Sequence, residues 1–274
     1  MNTKMFSKFF AVSLLTAFIP LTVCAAQVNQ DKLRSYANGE HRSSKNISRN
    51  TFRNPVETLS FFEISENMTV LEISPGGGWY TEILAPYLKD KGKYIGAGFN
   101  PNSKVDYYAK NAKAFQEKLN ATPKHYNKVE VTIMEPPAMM DIAPKGSVDR
   151  VLTFRNTHGW LRRGHAEQVF QTMFDVLKPG GKLGIVQHRA EPGKKADPNT
   201  GYVSEKQIIE LAKKAGFKLE AKSEINANSK DTKDYEKGVW TLPPNYRLKE
   251  QDKAKYTAIG ESDRMTLRFV KPKG

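Results

Sequence analysis

The sequence holds one cysteine, Cys24, and none from residue 27 onward. That stretch therefore has no disulfide, no cysteine-ligated metal and no cysteine nucleophile, and an oxidising compartment is compatible with it. Long apolar runs are also scarce. The stretch Phe9–Val23 is shorter than the ~20 residues a membrane span needs and contains Pro20. The five histidines form no ligand-spaced cluster with carboxylates, so no metal is implied. Acidic residues are outnumbered, 29 against 43 basic, for a net charge of +14. Such an excess attracts anionic partners, but the charges are scattered rather than gathered in one run, which reads as a solvated surface.

What is present begins with a leader. Lys4 and Lys8, the apolar Phe9–Val23 and the small residues around Cys24-Ala25-Ala26 make the three-part pattern of a secretory signal peptide over residues 1–26. Periplasmic or secreted location follows as an expectation, and nucleic acid is not an expected partner. Residues 27–50 are polar and without clear periodicity, and read as a mobile arm. Residues 51–274 then read as a single α/β domain.

Order is expected from Asn54-Pro55-Val56-Glu57, with Asn54 as N-cap and Pro55 in the first helical turn. Short apolar strands then alternate with helical stretches. Strands are predicted at 70–73, 94–99, 129–134, 148–154, 183–187, 217–225 and 264–270. Helices fall between them, the one over 80–88 cut or kinked near Pro86. This alternation predicts a mostly parallel seven-stranded sheet with helices on both faces. The polar stretch 226–263 reads as an insertion.

The most informative segment is Val70-Leu71-Glu72-Ile73-Ser74-Pro75-Gly76-Gly77-Gly78. A buried strand enters a glycine-rich turn that opens a helix, which suits close approach of a nucleotide phosphate or a carboxylate. A dinucleotide-binding loop would read Gly-x-Gly-x-x-Gly. Here Trp79-Tyr80-Thr81 follow, with no further glycine.

The segment resembles motif I of class I S-adenosylmethionine-dependent methyltransferases. Ser147-Val148-Asp149-Arg150-Val151-Leu152 resembles that family's fourth-strand motif, and Leu177-Lys178-Pro179-Gly180-Gly181-Lys182-Leu183 its turn before the fifth strand. The likeness spans about residues 50–270. A narrower resemblance, to predicted exported bacterial methyltransferases, rests on Arg53-Asn54-Pro55, Phe154-Arg155-Asn156-Thr157-His158, His188-Arg189-Ala190 and Trp240-Thr241-Leu242-Pro243-Pro244.

The resemblance implies a Rossmann-like fold and S-adenosylmethionine as cofactor. Ser74, Pro75, Gly76, Gly77 and Gly78 would wrap its methionine part, and Glu72 would support its amino end. Asn100 stands where the family commonly has a ribose-binding acid, and Glu135 where the adenine is read, unless Glu135-Pro136-Pro137 is only a turn. Arg155, Asn156 and His158 follow the fourth strand at the ligand-binding edge of the sheet. His158, near half-ionised at neutral pH, would serve as base or as a packing residue. Arg155 would hold an anionic substrate or pair with an acid such as Glu72. His188 and Arg189 face the same edge, and Trp240 with Leu242-Pro243-Pro244 forms a lid or a clasp. Two functions remain open at this point. One is methyl transfer to a small-molecule or anionic envelope acceptor. The other is an exported binding protein that keeps the fold without the reaction.

Overall fold

The computed structural model describes Met1, residues 27–194 and residues 196–274. The expected leader, apart from Met1, lies outside the described residues. Strands β1 (Thr69–Ile73), β2 (Lys93–Gly98), β3 (Glu130–Ile133), β4 (Val148–Phe154), β5 (Leu177–His188), β6 (Lys218–Ser223) and β7 (Arg264–Val270) form one sheet in the order β3-β2-β1-β4-β5-β7-β6. The sheet is mixed. Pairs β3-β2, β2-β1, β1-β4 and β4-β5 are parallel, whereas β7 runs antiparallel to both β5 and β6.

Helices α1 (Gln30–Ala37), α2 (Ser44–Ile47), α3 (Asn50–Arg53) and α4 (Pro55–Phe61) precede the sheet. After β1 come α5 (Thr81–Leu88), α6 (Asp106–Ala121), α7 (Pro123–Tyr126), α8 (Thr157–Arg162), α9 (Ala166–Val176), α10 (Glu205–Lys214) and α11 (Lys253–Ile259). Alternate strand residues feed two cores, because both faces of the sheet are covered. Leu71, Ile73, Val151 and Leu183 pack with Phe170 and Met173 of α9 and Ile208 of α10. Val70, Leu152 and Val186 pack on the other face with Leu33 of α1, Leu59 of α4 and Ile83 of α5.

Strand positions agree with expectation to within two residues at nearly every end, β5 excepted. It starts at Leu177 because Leu177 pairs with Val148 and Lys182 with Arg150, the residues between bulging out as the expected turn. The 27–50 segment is not a loose arm. Leu33 and Ala37, four residues apart, bury one face of α1 against α5 and α4, and Asn29 caps that helix by accepting from Lys32 N. With so few apolar residues in the segment, the signals were only the i,i+4 pair and the Asn29 cap, and a mainly polar helix lies below the reach of composition.

Asn54 is the N-cap of α4 as expected, its carbonyl accepting from Thr58 N, but its side chain makes no cap bond; held at φ 39°, the residue donates its side-chain amide to Ile225 O at 2.7 Å. One further expectation changes. Pro86 neither cuts nor ends α5, which runs unbroken to Leu88 with every residue buried.

The strand order reverses between β1 and β4: β2 and β3 lie to one side, β5 to the other. In open α/β sheets, a crevice for ligands opens at the carboxyl ends of the strands flanking such a reversal.

Candidate active site

β1 ends at that reversal. Past Ile73 the chain turns through Ser74, Gly76 and Gly78, all at positive φ (49°, 58° and 74°). Two of these positions are glycine, for which the conformation is unstrained. Ser74 bears it as a non-glycine residue, held by its N–H donating to Ala97 O at 2.8 Å. A Cβ at Gly76 or Gly77 would meet nothing within 4 Å, so their backbone faces open space. One at Gly78 would press on Phe115 and Lys118 of α6, so Gly78 serves packing instead.

That open space is a cavity of about 930 Å³, lined by Glu72, Ser74, Pro75, Gly76 and Gly77. Arg155, Asn156 and His158 line it too, and so do His188 and Trp240. The sequence-derived candidates from β1, β4 and β5 thus converge, because parallel strands end on one edge.

Glu72 is buried and accepts from Tyr94 Oη at 2.6 Å and Thr81 Oγ1 at 3.4 Å. Burial pushes its carboxyl up to about 7, although both hydrogen bonds favour the charge. Asn156 points its amide at Ile73 O (3.0 Å), Ser74 O (3.3 Å) and Thr153 Oγ1 (3.1 Å). Those bonds fasten the glycine loop to the end of β4, and they leave the amide no free donor for catalysis.

His158 is not half-ionised. Burial first, then Arg162 and Arg155, push its imidazole down to about 4, against a hydrogen bond with Gln187. Its ring lies 6.0 Å from that of His188 and 5.6 Å, edge to face, from Trp240. His188 is held neutral by burial as well, with Nδ1 2.5 Å from Ser262 Oγ.

Three candidates stand apart. Asn100 donates to Glu135 Oε2 at 2.6 Å and accepts from Asn102 N, and Ser103 Oγ donates to Glu135 Oε1. Neither Asn100 nor Glu135 lines the cavity. Arg189 is spent on Asp263 and Glu224. From the end of β2 it is Phe99 that reaches the cavity, stacked on Tyr108 with ring centres 4.6 Å apart.

Sequence reading missed the opposite wall. Arg49, from the expected arm, and Arg53, at the end of α3, line the cavity with Glu261, three residues before β7. Arg162, Arg163 and Arg247 add further cations. The signal available was Arg53, already inside a recurring segment. The 226–263 connection lays Trp240, Pro243 and Pro244 on the cavity, with the Arg247 guanidinium 5.0 Å from the Trp240 ring centre. Among the described residues no cluster of histidine, cysteine and carboxylate side chains is placed to hold a metal, and no helix is long and apolar enough to cross a membrane.

The sequence matches no family model and no curated protein sequence. Solved structures do match. One is a SAM-dependent methyltransferase from Aquifex aeolicus, with a TM-score of 0.56 and 18% identity over 89% of this chain and 100% of that one. The fold is that of the SAM-dependent methyltransferases. A methyltransferase from Methanosarcina mazei gives 0.51 at 15% identity, covering 79% of this chain and 98% of its own. The [4+2]-cyclase SpnF gives 0.52 at 16% identity, covering 86% of each chain. A methyltransferase-like fold is therefore also similar to a protein named for a different reaction, and function has to rest on the site.

Against that donor, the amino-acid end fits: an open glycine cradle with a carboxylate behind it. Phe99 brings an aromatic ring to the cavity for a base, whereas Tyr108 is already covered by Phe99 and by the Arg163 guanidinium, 4.7 Å from its ring centre. At the ribose position β2 supplies no carboxylate, since Gly98 and Phe99 end the strand and Asn100 is turned to Glu135.

Proposed function

We propose that this protein is a SAM-dependent methyltransferase whose acceptor lies between the glycine loop and the Arg155–His158–Trp240 wall. One observation carries the reading: the open faces of Gly76 and Gly77, the Glu72 carboxylate and the His158 imidazole share one cavity. When bound, the donor supplies a methyl group already activated on a sulfonium, so the protein's work is positioning and exclusion of water. Glu72 would hold the donor's cationic amino end, and a cation there would favour its ionised form. Asn156 sets the loop, and Trp240, Pro243 and Pro244 cover the acceptor side. His158 is uncharged at neutral pH and accepts the acceptor's proton through its ring.

The acceptor is a small molecule or an envelope component, and the protein is exported through its leader, as in the exported bacterial methyltransferases its segments resemble. N-terminal sequencing of the protein recovered from cells tests the leader, with Gln27 as the expected first residue.

The missing ribose carboxylate favours a second reading, a binding protein that keeps the fold without the reaction. Calorimetric titration with S-adenosylmethionine and S-adenosylhomocysteine separates the two. The enzyme reading expects both to bind. Failure of both at millimolar concentration would overturn it.

A further inference from the structure

The Glu261 corner of the cavity carries more positive charge than its carboxylate can match. Arg49 Nε donates to Glu261 at 2.7 Å, Arg53 Nε at 3.1 Å and Arg264 Nη1 at 3.0 Å. Glu261, Arg53 and Arg264 are each less than 5% exposed. Burial works against the Glu261 charge, yet Arg53, Arg264 and Arg49 hold its carboxyl down to about 2.

Arg155 is the fourth guanidinium here. Its backbone is held at φ 65°, a conformation costly for a non-glycine residue, immediately after β4. Among the described residues its side chain has no hydrogen-bond or ion-pair partner, and it lines the cavity. Arg53 Nη1, buried at the same wall, also has no hydrogen-bond partner among them. Burial, with Arg264 and Arg49 adding to it and Glu261 opposing, pushes Arg155 down to about 10. It stays charged at neutral pH.

A half-buried guanidinium with no partner, and a buried N–H of Arg53 left unbonded by Glu261, are costly, and a structure that keeps them beside a cavity leaves the pairing to a ligand. We infer that Arg155 and Arg53 form an oxyanion site, taking a carboxylate or phosphate group inside the cavity. Planar guanidinium groups suit both, through paired N–H donors. Two molecules can bring such a group: an anionic acceptor, or the amino-acid end of the donor. The acceptor is favoured, because Arg162 bears on His158 and Arg247 packs on Trp240, which extends the cationic lining along the acceptor wall. The inference deepens the acceptor reading given above, and it can fail without it.

The test is calorimetric titration of the full-length protein with inorganic phosphate at fixed ionic strength. Arg155→Met should weaken binding about tenfold or more, as loss of a charged hydrogen-bond pair does. Lys206→Met, which removes the same charge from an exposed site on α10, should leave it unchanged. In phosphate-free buffer Arg155→Met should melt no lower than wild type, because the side chain holds nothing in place. Equal phosphate binding by wild type and Arg155→Met, or none by either, overturns the site. S-adenosylhomocysteine titrated with and without saturating phosphate identifies the source. Independent binding supports the acceptor, and competition overturns that assignment in favour of the donor's carboxylate. Phosphate binding that needs Arg155, in a protein that binds no donor, keeps the site and removes the methyltransferase reading. The reverse result keeps the methyltransferase reading alone.

Discussion

His41 Nε2 lies 2.8 Å from Glu82 O, the α5 carbonyl that Pro86, four residues later, leaves without an N–H donor. An oxygen can only accept here, so the ring must be the tautomer protonated at Nε2. A residue from outside α5 thus completes its ladder, and this is how the helix passes Pro86 unbroken. His41→Ala should cost about 1–3 kcal/mol, the penalty of a buried orphaned acceptor. In a Pro86→Ala background the new N–H at residue 86 should reduce that cost. Urea denaturation of the four proteins checks the coupling, and additive effects would refute it.

Leu33 is fully buried between α1 and the helices beside it. Leu33→Ala should therefore destabilise the protein by about 2–5 kcal/mol, as for a core leucine. A denaturation midpoint unchanged from wild type would return residues 27–50 to the status of a loose arm.

Glu72 gives stability a pH dependence of definite sign. Its folded value, about 7, lies above its ordinary 4.5. The folded state therefore holds the proton more tightly, and stability falls as pH rises from about 4.5 through about 7. The loss is at most roughly 3 kcal/mol. Glu72→Gln should gain on wild type across that window and hold the gain above it. Denaturation at a series of pH values reads the difference directly.

His158 has the opposite sign. Its folded value, about 4, lies below its ordinary 6.5, so the unfolded chain binds the proton more tightly. Its contribution is present above 6.5 and is lost as pH falls towards 4. Nuclear magnetic resonance titration should find the imidazole neutral down to about pH 5. A midpoint near 6.5 would contradict its burial.

Asn100→Asp would set a second carboxylate against Glu135, 2.6 Å from the nitrogen it replaces. Repulsion should destabilise the β2–β3 edge and leave donor affinity unchanged, because the pair does not line the cavity. Tighter donor binding by this variant, measured by calorimetry, would put residue 100 at the ribose after all.

Strands and the glycine loop were legible in the sequence because their signals are local. A buried strand is a run of apolar residues, and the turn after β1 needs glycine where φ is positive. The convergence of Glu72, Arg155 and His158 was legible for a topological reason, since parallel strands deliver their ends to one edge. Pairings across long separations were not. Asn156 reaches back more than 80 positions to the β1 loop, and Asn100 turns to Glu135 rather than to the cavity. An asparagine amide has no sequence mark for which partner it chooses. His158 had its expected place but not its expected charge, because its depth is set by Trp240, 82 positions away. Arg49 and Arg53 escaped notice for the same reason, since their meaning depends on an acid more than 200 positions later.

That last pairing governs the order in which the molecule can be completed. Glu261 is synthesised more than 200 positions after Arg49 and Arg53. Until residue 261 arrives, the guanidinium groups of Arg49 and Arg53 have no carboxylate to gather them, and the cavity lacks a wall. Ligand binding at this corner thus requires a chain that has reached residue 261. Shortened or stalled chains that have already built β1 to β5 would carry the glycine loop and still be unable to close the chamber around it.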